Sequence, residues 1–151
     1  MNPLPTVPHV EIARYLGTWY EVARYPNRFQ EDCFGATADY RLREDGDLQV
    51  VNSCHQGSRD GPLKSVRGKA WVVDKTTNAK LKVRFFWPFA GNYWILELGP
   101  SYEYVVVGEP GRKYLWILSR TPTLDETTYQ AILGRLPGLG YDPARLTRDP
   151  R

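Results

Sequence analysis

Histidine and methionine are almost absent from this chain, whose 151 residues hold two of the former and one of the latter. His9 and His55 cannot furnish a histidine-rich metal site, and no serine, histidine and acid trio assembles around either of them. Cysteine is equally scarce. Cys33 and Cys54 fit no paired CxxC zinc pattern, which leaves one disulfide or two free thiols. A phosphate-cradling glycine loop is missing. The longest apolar run is five residues, 114–118, against the roughly eighteen that a membrane-spanning helix needs. Twenty Lys and Arg against seventeen Asp and Glu give a formal charge of +3. Along the sequence the basic residues are scattered, without the block or stripe that marks nucleic-acid binding. No catalytic residue, metal, cofactor or nucleic-acid partner is therefore expected.

Aromatic residues, in contrast, are abundant, with ten Tyr, five Trp and five Phe. A chain that is 42% apolar and 25% charged has the composition of a globular protein, and its length suits one domain. Pro3, Pro5 and Pro8 make the start read as an extended tether over residues 1–11, ahead of a single domain at 12–151.

From Gly17 onward short alternating segments are punctuated by turn signals every eight to twelve residues or so, the pattern of an antiparallel barrel or sandwich. Ala36, Ala38, Tyr40 and Leu42 alternate with Thr37, Asp39, Arg41 and Arg43, giving one apolar and one wet face. A turn at 44–47 follows, and Leu48, Val50 and Asn52 continue the apolar side on the return strand. Val66, Gly68, Ala70 and Val72 form the next inner face. Leu81, Val83 and Phe85 alternate with Lys80, Lys82 and Arg84 in the one after. Segments 93–98, 102–108 and 113–119 are apolar on both faces, so something must cover their outer side. Thr123 with Glu126 reads as a capping box, and Tyr129, Ile132, Leu133 and Leu136 fall at helical spacing, so one amphipathic helix is expected there. Residues around Leu146 suit a short closing strand.

The expected fold is all-β: an eight-stranded antiparallel up-and-down barrel with one C-terminal helix packed outside. Such a barrel is just wide enough for one small ligand. Ala36, Ala38, Gly68 and Ala70 leave room inside; the competing reading fills that room with aromatic rings from other strands.

The stretch Gly17-Thr18-Trp19-Tyr20-Glu21-Val22-Ala23-Arg24-Tyr25-Pro26-Asn27-Arg28-Phe29 resembles the first signature of lipocalins, whose core is Gly-x-Trp. Tyr40 and Asn52 flank the first hairpin, Tyr93-Trp94-Ile95-Leu96 follows, and Tyr114-Leu115-Trp116-Ile117-Leu118-Ser119-Arg120-Thr121-Pro122 is similar to the third signature. The resemblance covers about residues 12–147 and is nearest to the group of bacterial outer-membrane lipocalins, plant temperature-induced lipocalins and apolipoprotein D. It implies a cup that binds, stores or carries a small hydrophobic or amphipathic ligand, such as a fatty acid or lysophospholipid, in cell-envelope lipid maintenance. Bacterial members of this kind usually carry a lipoprotein signal. A trimmed precursor would place the protein in the periplasm or outer membrane, and a native start at Met1 in the cytosol. The expected partners are the lipid ligand and a membrane surface, with the protein a monomer or weak homodimer.

In an even-numbered meander, strand one starts and strand eight ends at the same end of the barrel. Gly17, Trp19 and Arg120 should thus form a structural plug, with the Arg120 guanidinium across the Trp19 indole. Tyr40 and Asn52, which the resemblance places inside the cup, assign Ala38, Val50, Ala70, Val83, Phe85, Tyr93 and Trp116 to the ligand-binding wall by parity. The opposite, open end holds the loops 26–35, 57–62, 87–92 and 109–112. There Phe29, Trp87 and Phe89 either gate the cavity, touch a lipid surface or pack among themselves. Glu97 faces the lumen if its strand runs without a bulge, and Glu21, on the parity of Trp19, raises the same question. Cys54 lies opposite about Thr37, four residues from Cys33, so a bridge requires the loop to fold back. The alternative is Cys54 as a reactive cavity thiol, as in lipocalins that perform isomerisations. His55 points the other way and cannot pair with it. A tetrapyrrole carrier is the remaining alternative, although haem would want an axial histidine inside.

Overall fold

The computed structural model describes residues 3–86 and 89–149, and of Phe86 and Phe89 the backbone alone. Eight strands follow one another: β1 (Gly17–Arg24), β2 (Cys33–Leu42), β3 (Leu48–Gln56), β4 (Leu63–Val72), β5 (Lys80–Phe86), β6 (Phe89–Leu98), β7 (Tyr104–Gly108) and β8 (Leu115–Ser119). Each pairs antiparallel with the next, and β1 pairs with both β2 and β8, so the sheet closes on itself and leaves no free edge among these eight. The barrel reading holds and the sandwich is excluded. A ninth, two-residue strand, β9 (Thr147–Arg148), adds to β1 at Ala23 and Arg24.

Two apolar clusters follow from the alternation. Inward residues, among them Trp19, Tyr40, Val50, Ala70, Leu81 and Ile95, form the interior cluster. Outward residues of β1 and β6–β8, namely Ala23, Leu96, Val106, Leu115 and Ile117, form a second cluster with Tyr129, Ile132 and Leu136. The latter come from helix α2 (Glu126–Arg135) and the turn after it. That is the cover which two-faced strands require. The helix starts differently from expectation, because Asp125, not Thr123, is its cap: the Asp125 carboxylate accepts from the Thr128 N–H. Glu126 is thereby released from a capping box and takes both guanidinium nitrogens of Arg148.

Three strand boundaries also move. β7 begins at Tyr104 because Tyr102 sits in a turn at φ 57°, donating to the Gly99 carbonyl. β8 begins at Leu115 because the Glu109 carboxylate holds the N–H groups of Lys113 and Tyr114. Residues 89–92, expected in a loop, belong to β6, with Phe86 paired to Phe89.

A one-turn helix, α1 (Ile12–Tyr15), precedes β1. The segment before it is extended, yet it is packed onto the barrel: Leu4 and Val10 are buried, and the N–H groups of Val7 and Val10 donate to the Ile95 and Thr77 carbonyls.

Candidate functional site

The closed end is a finished floor. Trp19 is fully buried and donates its indole N–H to the Tyr15 carbonyl at 2.9 Å. The Arg120 guanidinium lies 3.8 Å from the Trp19 ring centroid and donates to the carbonyls of Thr18 and Arg14. Gly17 has φ +101°, a backbone conformation that favours glycine, while a Cβ there would only touch Arg120 at 3.4 Å. Beside the indole, Tyr15, Tyr40 and Tyr93 bring their hydroxyls together, Tyr15 to Tyr93 at 2.5 Å and Tyr40 to Tyr93 at 2.8 Å. Burial pushes the Tyr40 hydroxyl up to about 12 and the other two well above the ordinary tyrosine value, so all three stay protonated. The polar handles expected of Tyr40 and Tyr93 are thus spent largely on each other.

Above that floor the inner wall opens. Asn52 is paired with Ala38 and Val66 and shares their face. Asn52 is exposed and Val66 is 43% exposed, whereas Val50 and Ala70, nearer the closed end on the same face, are buried. Solvent therefore reaches the interior from the mouth. Val83, Phe85 and Trp116 are half-buried around this space. One expected gap is filled: a Cβ on Gly68 would lie 2.5 Å from the Phe85 ring, so that ring occupies the room the glycine leaves. A separate groove of about 340 Å³, lined by Ile12, Leu16, Leu42 and Val72 among others, lies at the closed end, outside the lumen.

One side of the mouth is ionic: Glu21 faces inward, as its parity with Trp19 allowed, whereas parity did not reveal Arg24. β1 shifts register between Glu21 and Ala23, so Glu21 faces Leu118 and Arg24 faces Trp116, both inward, while Ala23 turns out toward α2. Glu21 is buried, ion-paired with Arg24, and accepts from Gln30 at 3.0 Å. Arg24 also donates to the Gln30 and Cys33 carbonyls. Gln30 in turn accepts from the Trp116 indole at 2.8 Å, tying the β1–β2 loop to the wall. Burial raises the Glu21 carboxyl to about 7, with Arg24 and Gln30 opposing and Asp149 adding to the rise. Asp149 accepts from the N–H groups of Gly35 and Ala36, and its own N–H donates to the Val22 carbonyl. Those backbone groups lie where β1 and β2 skip register, so the C-terminal segment satisfies two bulges at once.

Glu97 goes the other way. A bulge between Ile95 and Glu97 turns it out of the lumen, where it meets Arg135 of α2 at 2.6 and 2.7 Å and accepts from the Tyr104 hydroxyl. Cys33 and Cys54 form a disulfide with Cα atoms 5.5 Å apart. The register shift between Phe34 and Thr37 supplies the fold-back that the bridge needed. Cys54 therefore carries no free thiol, which removes the nucleophile of the isomerase alternative. The His55 ring nitrogen Nδ1 pairs with the Gly61 carbonyl, away from the lumen. Phe29 is 77% exposed, with its ring 6.2 Å from that of Tyr114, which stacks on Trp116. Trp87 and the Phe89 side chain lie outside the described residues. Among the described residues no group of three His, Cys, Asp or Glu could hold a metal ion.

A closed eight-strand meander, a Trp–Arg plug and an outer helix are joined by a sequence match: a family model described as a lipocalin-like domain covers residues 10–151. The chain belongs to the lipocalin family. This lipocalin is 42% identical to the outer membrane lipoprotein Blc of Escherichia coli, over 92% of its own length and 78% of that protein. It is 36% identical to temperature-induced lipocalin-1 of Arabidopsis thaliana, over 98% of the chain and 83% of that relative. The solved structure of insecticyanin from the tobacco hornworm superposes at a TM-score of 0.77 with 18% identity, over all of this lipocalin and 85% of the other chain. At that identity the likeness shows the fold alone.

Proposed function

We propose that this lipocalin binds, stores or carries a fatty acid, lysophospholipid or similar amphiphile in its barrel, in the service of cell-envelope lipid maintenance. The family binds small hydrophobic ligands, and the observation that carries the reading here is the change along one inner face from buried Val50 and Ala70 to exposed Asn52 and Val66. Ala38, Val83, Phe85 and Trp116 supply apolar wall to an alkyl chain, and Tyr40 and Tyr93 its floor. About ten buried methylenes contribute about 8 kcal/mol, against an association cost of about 4 kcal/mol or more. A single acyl chain then binds in the micromolar range only when a preformed cavity or polar contacts assist it.

Asn52 and the Glu21–Arg24 pair are polar groups on that wall. They suit a head group held at the rim with its tail directed inward. An envelope location follows the name of the bacterial relative, an outer membrane lipoprotein. Displacement of a fluorescent fatty acid tests the binding. Trp116→Ala should weaken uptake about tenfold and Asn52→Ala about threefold, about 1.4 and 0.7 kcal/mol. Wild-type protein that takes up neither fatty acid nor lysophospholipid would refute the reading.

A further inference from the structure

Between Asp60 and Glu97 the chain carries seven basic residues and a single acid, Asp74. Strand pairing turns this local bias into a surface. Gly68, Ala70, Leu81 and Val83 take the inner face of β4 and β5, so Arg67, Lys69, Lys80, Lys82 and Arg84 all fall on the outer one. Lys69 stands opposite Arg84, and Lys82 opposite Trp71. Trp94 of β6 faces Lys80. Of these five cations the acids Asp45 and Asp47 reach only Lys69. Among the described residues Arg67, Lys80, Lys82 and Arg84 have no ion pair. Without these five cations the chain would hold fifteen basic residues against seventeen acidic, so the whole positive excess sits on this wall. No residue of β4 or β5 belongs to the cluster under α2, which leaves the wall uncovered by the helix.

We infer that the outer face of β4 and β5 is a docking surface for the anionic head groups of a phospholipid bilayer. Cations opposite an anionic surface attract it and release its counterions, each contributing independently of sequence. Trp71 adds an amphipathic ring of the kind that settles at head-group level, and Trp94, at the edge where the wall meets the cluster under α2, adds a second. Single-stranded nucleic acid fits the face less well, because it needs open aromatic faces for base stacking. Here the Arg84 guanidinium lies 5.3 Å from the Trp71 centroid and the Lys80 ammonium 4.3 Å from that of Trp94. The surface is independent of whatever the lumen holds.

Flotation with vesicles tests the assignment. Wild-type protein should float with phosphatidylcholine vesicles containing phosphatidylglycerol, stay behind with phosphatidylcholine alone, and detach as salt rises. Arg67→Glu with Lys82→Glu should weaken binding at least about tenfold, while Arg28→Glu with Lys113→Glu, an equal charge change elsewhere, should stay within about twofold. Should the reversed variant misfold by circular dichroism, Arg67→Gln with Lys82→Gln decides the matter and should show a smaller loss. Equal flotation with neutral vesicles would overturn the assignment. So would undiminished binding by a folded β4–β5 variant, or binding to a single-stranded oligonucleotide without binding to vesicles.

Discussion

The two ends of the barrel are made from the same strands and the same alternation, yet they solve opposite problems. At the closed end Trp19, Ile95 and Val105 are fully buried, and Tyr15, Tyr40 and Tyr93 satisfy their hydroxyls among themselves. At the mouth, inward residues remain wet, and a buried carboxylate, a guanidinium and a disulfide secure the rim. The floor is thus a packed core whose strength is apolar area. The mouth trades packing for access, and its order comes from charge, backbone bonds and a covalent link. Stability and binding should accordingly separate along the barrel axis.

The largest loss of stability is expected at the floor. Trp19→Ala removes a fully buried indole and strips the Arg120 guanidinium of its π partner, and should cost about 3–5 kcal/mol in urea unfolding. A loss under about 1 kcal/mol would mean the floor is not the core. Next comes the rim: Cys33→Ser with Cys54→Ser opens a link between residues 21 apart in sequence and should cost about 3 kcal/mol.

Glu21→Gln probes the ionic side through pH. The carboxyl titrates near 7 in the fold and at an ordinary 4.5 when unfolded. Its stabilising contribution is fully present below about pH 4.5 and is lost as pH rises through about 7. Wild-type unfolding free energy, read in urea, should therefore fall from pH 5 to pH 8 relative to the Gln variant by about 1–3 kcal/mol. Parallel pH profiles would show that Glu21 titrates normally. Glu126, held down to about 2 by Arg148, changes below that window and drops out of the difference. The smallest effect belongs to the exposed ring on the mouth loop. Phe29→Ser should alter stability by no more than about 0.5 kcal/mol, measured by thermal melting.

Much of the architecture was legible from local chemistry. The alternation in 36–42, 48–52 and 80–85 gave three strands and their inner faces, and the two-faced apolar strands announced the covering helix. Trp19 and Arg120 could be paired by counting strands. Alternation fails where a bulge intervenes, because one added residue reverses the parity of everything after it. Glu97 left the lumen through such a bulge and Arg24 entered through another. No local signal marks Asp149 as the distant partner of Arg24. The Cys33–Cys54 bridge stayed undecided for the same reason, since a regular hairpin puts Cys54 opposite Thr37. The cap at Asp125 shows a weaker form of the problem: two neighbouring cap-type residues compete, and the chain's path chooses between them.

Periodicity and the family signatures could be read from residue order, since side-chain direction in an unbulged strand follows odd or even position. Tertiary structure alone decided how deep the floor reaches, which acids face the interior, and that basic residues on neighbouring strands share one outer wall. Those outcomes depend on register between segments far apart in the chain. Register is fixed by bulges, buried charge pairing and the packing of the segments around Val7 and Asp149, none of which leaves a periodic trace.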